Sequence, residues 1–144
     1  MKFSLVSINL SPQKGGRKSP VDAAELLAGL GLKGDAHAAP GERQVSLLAQ
    51  EAIDTMIARG LRLNPGDFAE NFTTRGIDWS RCRVGQRLSI GEAELEISRI
   101  GKECHRRCAI YEAAGDCIMP SQGVFARVLK GGRISVESSC HYGI

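Results

Sequence analysis

The chain predicts a mainly β (α+β) domain, a partly closed β-barrel with a few short helices on its flank. Three observations lead there. Short stretches rich in Val, Ile, Leu and Phe recur along the chain, several in strict alternation with polar residues. Glycine-containing turn sequences separate them at short intervals. Helical periodicity is confined to brief segments. The 144 residues form a single domain, 1–144, long enough to bury a core without disulfide or metal staples.

The elements follow in order. KFSLVSINL, 2–10, alternates and is rich in strand formers, so it is a strand, and SPQKGGRKSP, 11–20, is a loop. Ser19-Pro20 has the pattern of a helix start, with Pro at the first helical position and Asp22 in the first turn, so VDAAELLAGL is expected to be a helix closed by Gly29 or Gly31. GLKGDAHAAPGER is loop again, and RQVSLLA is a short strand. QEAIDTMIARG is the clearest helix: Ala49, Ala52, Ile53, Met56 and Ile57 share a face, and Gly60 can end it. A turn at Asn64-Pro65-Gly66 leads to an extended segment near Phe72. RVGQRLSIGEAELEISRIG reads as two strands joined at Gly91-Glu92, with Leu95 and Ile97 alternating with glutamates. Weak helical character follows around Arg107 to Ala114. GVFARVLKGGRISVES reads as a last hairpin turning at Gly131-Gly132, and the tail SCHYGI as loose.

Composition narrows the function classes. Apolar content is 42% and charged content 24%, as in soluble globular chains. No apolar run is long enough to span a bilayer. MKFSLVSINLSPQKGG lacks a small-residue cleavage site and reads as a first strand, not a signal peptide, so a cytoplasmic location and no membrane partner are expected. The formal charge is +3, and 13 of the 19 basic residues are Arg, scattered without a basic block. With only 5% aromatic residues, few platforms exist for stacking bases, so no nucleic-acid partner is expected. Arginine suits bidentate recognition of a small phosphorylated ligand. The absence of GxxxxGK[ST], GxGxxG before a helix, HExxH and GxSxG argues against a P-loop NTPase, a dinucleotide enzyme, a zincin and an α/β-hydrolase.

Three constellations carry candidate chemistry. In Gly34-Asp35-Ala36-His37 a carboxylate and an imidazole two residues apart can share a proton or a metal; alternatively Asp35 caps local backbone donors and His37 is incidental. In NPGDFAENFTT, 64–74, Asn71, Thr73 and Thr74 can donate to a phosphate or heterocycle and Glu70 can accept from ring N–H groups; alternatively these groups satisfy their own backbone. In GKECHRRCAIYEAAGDC, 101–117, three of the five cysteines fall close together. His105, Arg106 and Arg107 beside Cys104 favour thiolate, which suits a nucleophile or persulfide carrier. The spacing C-x3-C-x8-C of Cys104, Cys108 and Cys117 is not a common paired-knuckle zinc pattern, although a three-cysteine site with an open position, or one completed by His105, stays open. Buried thiols acting only as small hydrophobes are the third possibility.

The order GLKGDAHA, RQVSLLAQEAI, PGDFAENFTTRGID, VGQRLSIGEAELEIS, a cysteine, then GVFARVLKGG resembles the MOSC domain family, named for the C-terminal domain of molybdenum cofactor sulfurases. The resemblance covers roughly residues 3 to 137 and is most specific in PGDFAENFTT and VGQRLSIG. It implies a MOSC-type β-barrel. It also implies a molybdopterin-type molybdenum cofactor as ligand, a pterin with a dithiolene and a phosphate. The family's characteristic cysteine matches Cys104, which the resemblance assigns to sulfur transfer or molybdenum contact. Asp35, Arg43, Glu70, Asn71 and Arg127 fall at family-motif positions, and His37 and Thr73 lie beside them as further cofactor-binding candidates. Cys108 and Cys117 are extra to the minimal pattern and are candidate metal ligands or partners in persulfide resolution. Many relatives keep a Gly-Asp where this chain ends VESSCHYGI.

Full sulfurases carry a large pyridoxal-phosphate desulfurase domain before the MOSC domain, for which this chain has no room, so no pyridoxal phosphate is expected in it. The implied partners are a separate cysteine desulfurase as sulfur donor and a molybdoenzyme or cofactor-biosynthesis protein as acceptor. Three functions compete: a sulfur carrier with sulfurtransferase-type activity at Cys104, a non-catalytic cofactor carrier using the same pocket, and a small metal or Fe–S protein using Cys104, Cys108 and Cys117.

Overall fold

The computed structural model describes residues 1–13, 17–100 and 123–143. Its main body is a closed barrel. In barrel order the strands are β1 (Lys2–Leu10), β6 (Phe72–Arg75), β5 (Val45–Ala49), β9 (Val124–Lys130), β8 (Ala93–Ile100), β7 (Arg87–Ile90) and β11 (Cys140–Tyr142). The ring closes where Lys2 and Phe3 pair with His141 and Cys140. A short strand, β2 (Ser19–Val21), covers the other end of the same β1 edge, pairing with Ile8 to Leu10. A second, three-stranded sheet runs β10 (Gly132–Ser135), β3 (Ala23–Leu27), β4 (Gly31–Leu32).

Alternation builds the barrel. Leu88 and Ile90 on β7 and Ala93, Leu95 and Ile97 on β8 are all fully buried, while Ser89, Glu94 and Glu96 between them are partly exposed; on β9 Val124, Phe125 and Ala126 are all buried. The alternation on β7 and β8 is the pattern of strands with one face on a core. A register shift on β1 between Leu5 and Ser7 interrupts its alternation, so that Ser7, Ile8 and Asn9 are all buried. Asn9 thereby enters the protein as a buried polar group, which matters for the site below.

The β5–β6 pair is the barrel's parallel one, and a parallel pair needs a crossover connection. The helix α1 (Gln50–Ile57) and the loop 58–71 provide it. Ala52, Ile53 and Met56 bury one face of α1, as its periodicity predicts, whereas Ile57 is exposed. Among the described residues no helix is long and apolar enough to cross a membrane.

Three expectations are corrected. The segment 21–30 is not helical: β3 and a turn at 28–30 occupy it, β4 follows at Gly31, and Ser19-Pro20 belongs to β2. Ala-Ala-Glu-Leu-Leu favours helix locally, but a helix this short is marginal alone. Pairing of Ala23 to Leu26 with Ser135 to Gly132 gives a strand that buries Leu26. The strands β9 and β10 exist where expected but do not form a hairpin. β9 pairs with β5 and β8, and β10 with β3, so the chain changes sheet at Gly131-Gly132. A Cβ on Gly131 would run into the Leu26 carbonyl, so the crossing needs glycine there. Finally, the tail is not loose, because β11 is the strand that closes the barrel between β7 and β1. The helical character expected at 107–114 lies outside the described residues.

Candidate functional site

A buried polar cluster joins three loops at one end of the barrel. Asp35 is its centre. The Asp35 side chain is fully buried, and its Oδ1 accepts from the Ser11 N–H at 3.0 Å and from Lys18 Nζ at 2.7 Å. Oδ2 accepts from the Asn71 amide at 3.1 Å and the His37 N–H at 3.3 Å. Burial alone would raise the Asp35 pKa, but the hydrogen bonds from Lys18, Ser11 and Asn71, with the charge on Lys18, outweigh it and hold the carboxyl below its ordinary 3.8. Asp35 is thus an ionised hub. Lys18 Nζ also lies 2.8 Å from His37 Nδ1, which links the hub to an imidazole about a third exposed.

Asn71 is the second hub. Its Nδ2 donates to Asp35 Oδ2 and to the Asn9 carbonyl, and its Oδ1 accepts from Ser46 N–H at 3.0 Å and Ser46 Oγ at 3.3 Å. Two donors and two lone pairs are all an asparagine amide has. Glu70 beside it is fully buried, and its carboxylate accepts from the Gly66 N–H, the Phe68 N–H and the Thr73 hydroxyl. Burial pushes its pKa above the ordinary 4.5, with those donors offsetting part of the effect. Thr73 Oγ1 in turn accepts from Asn9 Nδ2. Glu70, Asn71 and Thr73 therefore spend their polar atoms on the protein. The expectation that they read a heterocycle or phosphate directly does not fit this bonding: they shape the wall.

Backbone geometry fits the same loop together. Gly66 has φ +91°, and its carbonyl accepts from the Lys18 N–H at 2.9 Å. A Cβ there would run into the Lys18 carbonyl. Ala69 has φ 61°, a left-handed conformation costly for a residue with a Cβ. Its N–H donates to the Gly66 carbonyl, and its carbonyl lies 3.4 Å from the Ser46 hydroxyl, whose one hydrogen is shared between it and Asn71 Oδ1.

Above this floor lies a small recess of about 70 Å³, lined by His37, Arg43, Ser46, Phe68, Ala69, Asn71 and Phe125. By itself it is smaller than the usual small-ligand pocket. The Arg43 guanidinium sits 5.6 Å from the Phe125 ring centroid, a cation–π contact. His37 and Arg43 also line a larger, more open hollow of about 460 Å³ with Pro40, Glu42 and Arg99, so the two adjoin, and this second one lies within the size range of small-ligand pockets. Arg127 lies on β9 two positions from Phe125 and opposite Glu96, outside both linings, with its Nε buried and without a hydrogen-bond partner among the described residues.

The structure thus brings Asp35, His37, Arg43 and Asn71 to one place, with Glu70 and Thr73 behind the wall. Cys104, Cys108 and Cys117, with His105, lie outside the described residues. The chain leaves the described part at Ile100 and re-enters at Gly123; Ile100 pairs with Val124 and Arg99 with Phe125. Phe125 lines the smaller hollow and Arg99 the larger. Cys82 and Cys140 are free and buried, and burial raises both thiols, Cys140 to about 11. Among the described residues no group of three or more His, Cys, Asp or Glu is placed to hold a metal ion.

Lys18, Asn9, Ser46, Phe68, Phe125 and Arg99 have no spacing signal that sequence reasoning could use. Lys18 stands in a Gly/Lys/Arg loop where a solvated lysine is the default, and the other five read as ordinary strand or loop residues.

The model of the MOSC domain family matches residues 33–140. Among solved structures, the YuaD protein from Bacillus subtilis superposes with a TM-score of 0.80 at 16% identity, covering 97% of this chain and 94% of that one. YiiM from Geobacillus stearothermophilus gives 0.74 at 19% identity, covering 97% and 74%, and YiiM from Escherichia coli 0.71 at 20%, covering 99% and 69%. At these identities the likeness is one of fold. No curated protein matches significantly. With a matching family model over most of its length and the same barrel, the chain belongs to the MOSC domain family.

Proposed function

We propose that the protein binds a molybdopterin-type molybdenum cofactor across the two adjoining hollows that share His37 and Arg43, and handles sulfur for it through Cys104. The MOSC domain is associated with molybdenum cofactor binding or sulfur handling, and that is the coarse function family membership supports. The observation that carries the finer reading is the pair of adjoining hollows. Phe68 and Phe125 line the smaller one, and Arg43, shared by both, with Arg99 in the larger, suits a phosphate. The residues fit that group in part: cation, aromatic surface and the His37 imidazole face the hollow, while the contacts expected from Glu70, Asn71 and Thr73 are replaced by a wall these residues hold rigid. Preorganisation of that kind lowers the cost of ordering a site on binding. When bound, the cofactor would supply the redox and oxo or sulfido chemistry of molybdenum.

Cys104 follows a strand whose end pairs beside Phe125, and Arg106 and Arg107 next to it favour its thiolate. In the sulfur-carrier reading the Cys104 thiolate attacks the terminal sulfur of a desulfurase persulfide. The donor's S–S bond breaks, a new one forms at Cys104, and the donor leaves as thiolate, with no net oxidation. The physiological acceptor in this reading is a molybdoenzyme or cofactor-biosynthesis protein.

The test is anaerobic incubation of the protein with a cysteine desulfurase and cysteine, followed by mass spectrometry and peptide mapping. One added sulfur atom, mapped to Cys104 and lost on addition of cofactor, is the expected result. Cofactor binding without any sulfur on Cys104 would make the protein a carrier without transfer. Sulfur on Cys82 or Cys140 instead would remove the assignment.

A further inference from the structure

The larger hollow carries a carboxylate as well as its two guanidinium groups. Glu42 lines it with Arg43 and Arg99, and Glu42 Oε2 lies 3.8 Å from Arg99 Nη1. That distance makes an ion pair and is too long for a hydrogen bond. The pair stands open to solvent, with the Arg99 side chain 33% and that of Glu42 57% exposed, so it is a weak one. Among the described residues neither guanidinium donates a hydrogen bond; Arg43 rests over the Phe125 ring instead. A guanidinium offers five donors in a fixed fork that suits the oxygens of a phosphate.

The backbone around Glu42 is pinned from two sides. Its own carbonyl accepts from the Ser98 hydroxyl. The Gly41 carbonyl accepts from Gln44 Nε2 at 3.1 Å, and the buried Gln44 is itself held where its Oε1 accepts from the Val128 N–H at 2.9 Å. Arg99 is rooted in β8, opposite Phe125. The Glu42 carboxylate can therefore leave Arg99 by side-chain rotation alone, with the walls of the hollow unchanged.

We propose that Glu42 is an internal competitor for Arg99: its carboxylate holds the place that an anionic group of the ligand takes, and the ligand must displace it. That the anion is the phosphate of a pterin cofactor rests on the reading under Proposed function; the competition itself needs only an anion. Arg43 and Arg99 alone would present two positive charges to that anion. Glu42 offsets one of them and stays tethered beside Arg99, ready to retake it as the ligand departs. The consequence is a looser hold and an easier release, which suits a protein that passes its ligand or its sulfur on.

The test is titration of inorganic phosphate into the labelled full-length protein at low ionic strength, followed by backbone 1H–15N shifts. Glu42→Gln should bind phosphate about 3- to 10-fold more tightly than the wild type, the worth of one partly screened charge. Glu137→Gln removes the same charge in the loop that packs on the Gly91 turn, at the other end of β8, and should change binding by less than about 2-fold. In an Arg99→Ala background Glu42→Gln should gain less than about 2-fold, since the group competed for is gone. Unchanged or weaker binding in Glu42→Gln, the full gain persisting without Arg99, or no phosphate binding by any of these proteins overturns the proposal. Molybdopterin cofactor is titrated in parallel. If phosphate follows the expected pattern but the cofactor does not bind, the cofactor reading fails and the competitor stands. Cofactor binding that Glu42→Gln does not strengthen sinks the competitor and leaves that reading in place.

Discussion

The Asn71 amide donates to Asp35 Oδ2 at 3.1 Å, tying the loop after β4 to the loop before β6 across 36 positions of sequence. With the bonds of Asn71 to Ser46 and Asn9, that contact makes one rigid unit of the loops beneath the recess. Asn71→Ala should therefore act well beyond the loss of one side chain. It would leave the Asn9 carbonyl and the Ser46 groups short of a partner and remove a donor from Asp35. A destabilisation of about 2–4 kcal/mol is expected. Urea unfolding with an unchanged denaturant slope measures it, and a loss under about 1 kcal/mol would show that Asn71 is not a hub.

Lys18 and Asp35 form a buried pair, and such pairs are expensive to break from one side. Lys18→Met should cost about 3–5 kcal/mol because it strands the Asp35 carboxylate. Adding Asp35→Asn should recover part of that loss, since the stranded charge disappears. A double-mutant cycle by chemical unfolding reads the coupling directly. Strictly additive effects would mean that the two groups do not depend on each other.

Acid should affect Asp35 and Glu70 with opposite sign. The folded pKa of Asp35 lies below its ordinary 3.8, so in that window the unfolded chain binds more protons. Its stabilising contribution is complete above the ordinary value and is lost as pH falls through the folded one. Glu70 titrates above its ordinary 4.5 in the fold, so its contribution is complete below that value and is lost as pH rises through the folded one. Unfolding free energies between about pH 3 and 7 should show the gap between wild type and Asp35→Asn widening with pH, and the gap between wild type and Glu70→Gln narrowing. Parallel curves would contradict both assignments.

Gly66 and Gly60 share nearly the same left-handed backbone, φ +91° and +94°, but not the same surroundings. A Cβ at Gly60 meets nothing, whereas at Gly66 it meets the Lys18 carbonyl. Gly60→Ala should cost about 1 kcal/mol, from backbone conformation alone. Gly66→Ala should cost at least about 2 kcal/mol more, because the 18–66 contact must open as well. Thermal unfolding of the two variants side by side decides it; equal losses would mean that the close approach is unimportant.

How much of this was legible beforehand depends on how local the cause is. The Leu-Glu alternation of 94–97 is the direct imprint of one buried face, so β7 and β8 could be read from their own residues. The helix α1 carries its own periodicity in the same way. The segment Ala23 to Leu27 could not be read correctly, because its state is decided by pairing with Gly132 to Ser135, more than a hundred positions away. The same holds for the tail, whose order comes from Phe3 and Ile90 on either side of Cys140. Within the site, Asp35 and His37 stood out because their chemistry is dense in sequence. Lys18 did not, because the groups it meets in the fold, Asp35, His37 and the Gly66 backbone, are distant in sequence and leave no mark on its own loop. Glu70 and Thr73 were recognisable as special, but sequence cannot say whether a carboxylate faces a ligand or its own loop; the N–H groups of Gly66 and Phe68 answer that.

The pair of hollows as a cofactor site is the central claim, and Arg43 tests it most directly, since it borders both hollows and stacks on Phe125. Anaerobic equilibrium titration with molybdopterin cofactor should give saturable binding to the wild type. Arg43→Ala should weaken it about 10- to 100-fold, the worth of a charge-assisted hydrogen bond to phosphate. Arg133→Ala, on β10 in the second sheet, should leave it unchanged. No binding by the wild type, or equal binding by the Arg43 and Arg133 variants, would contradict the account.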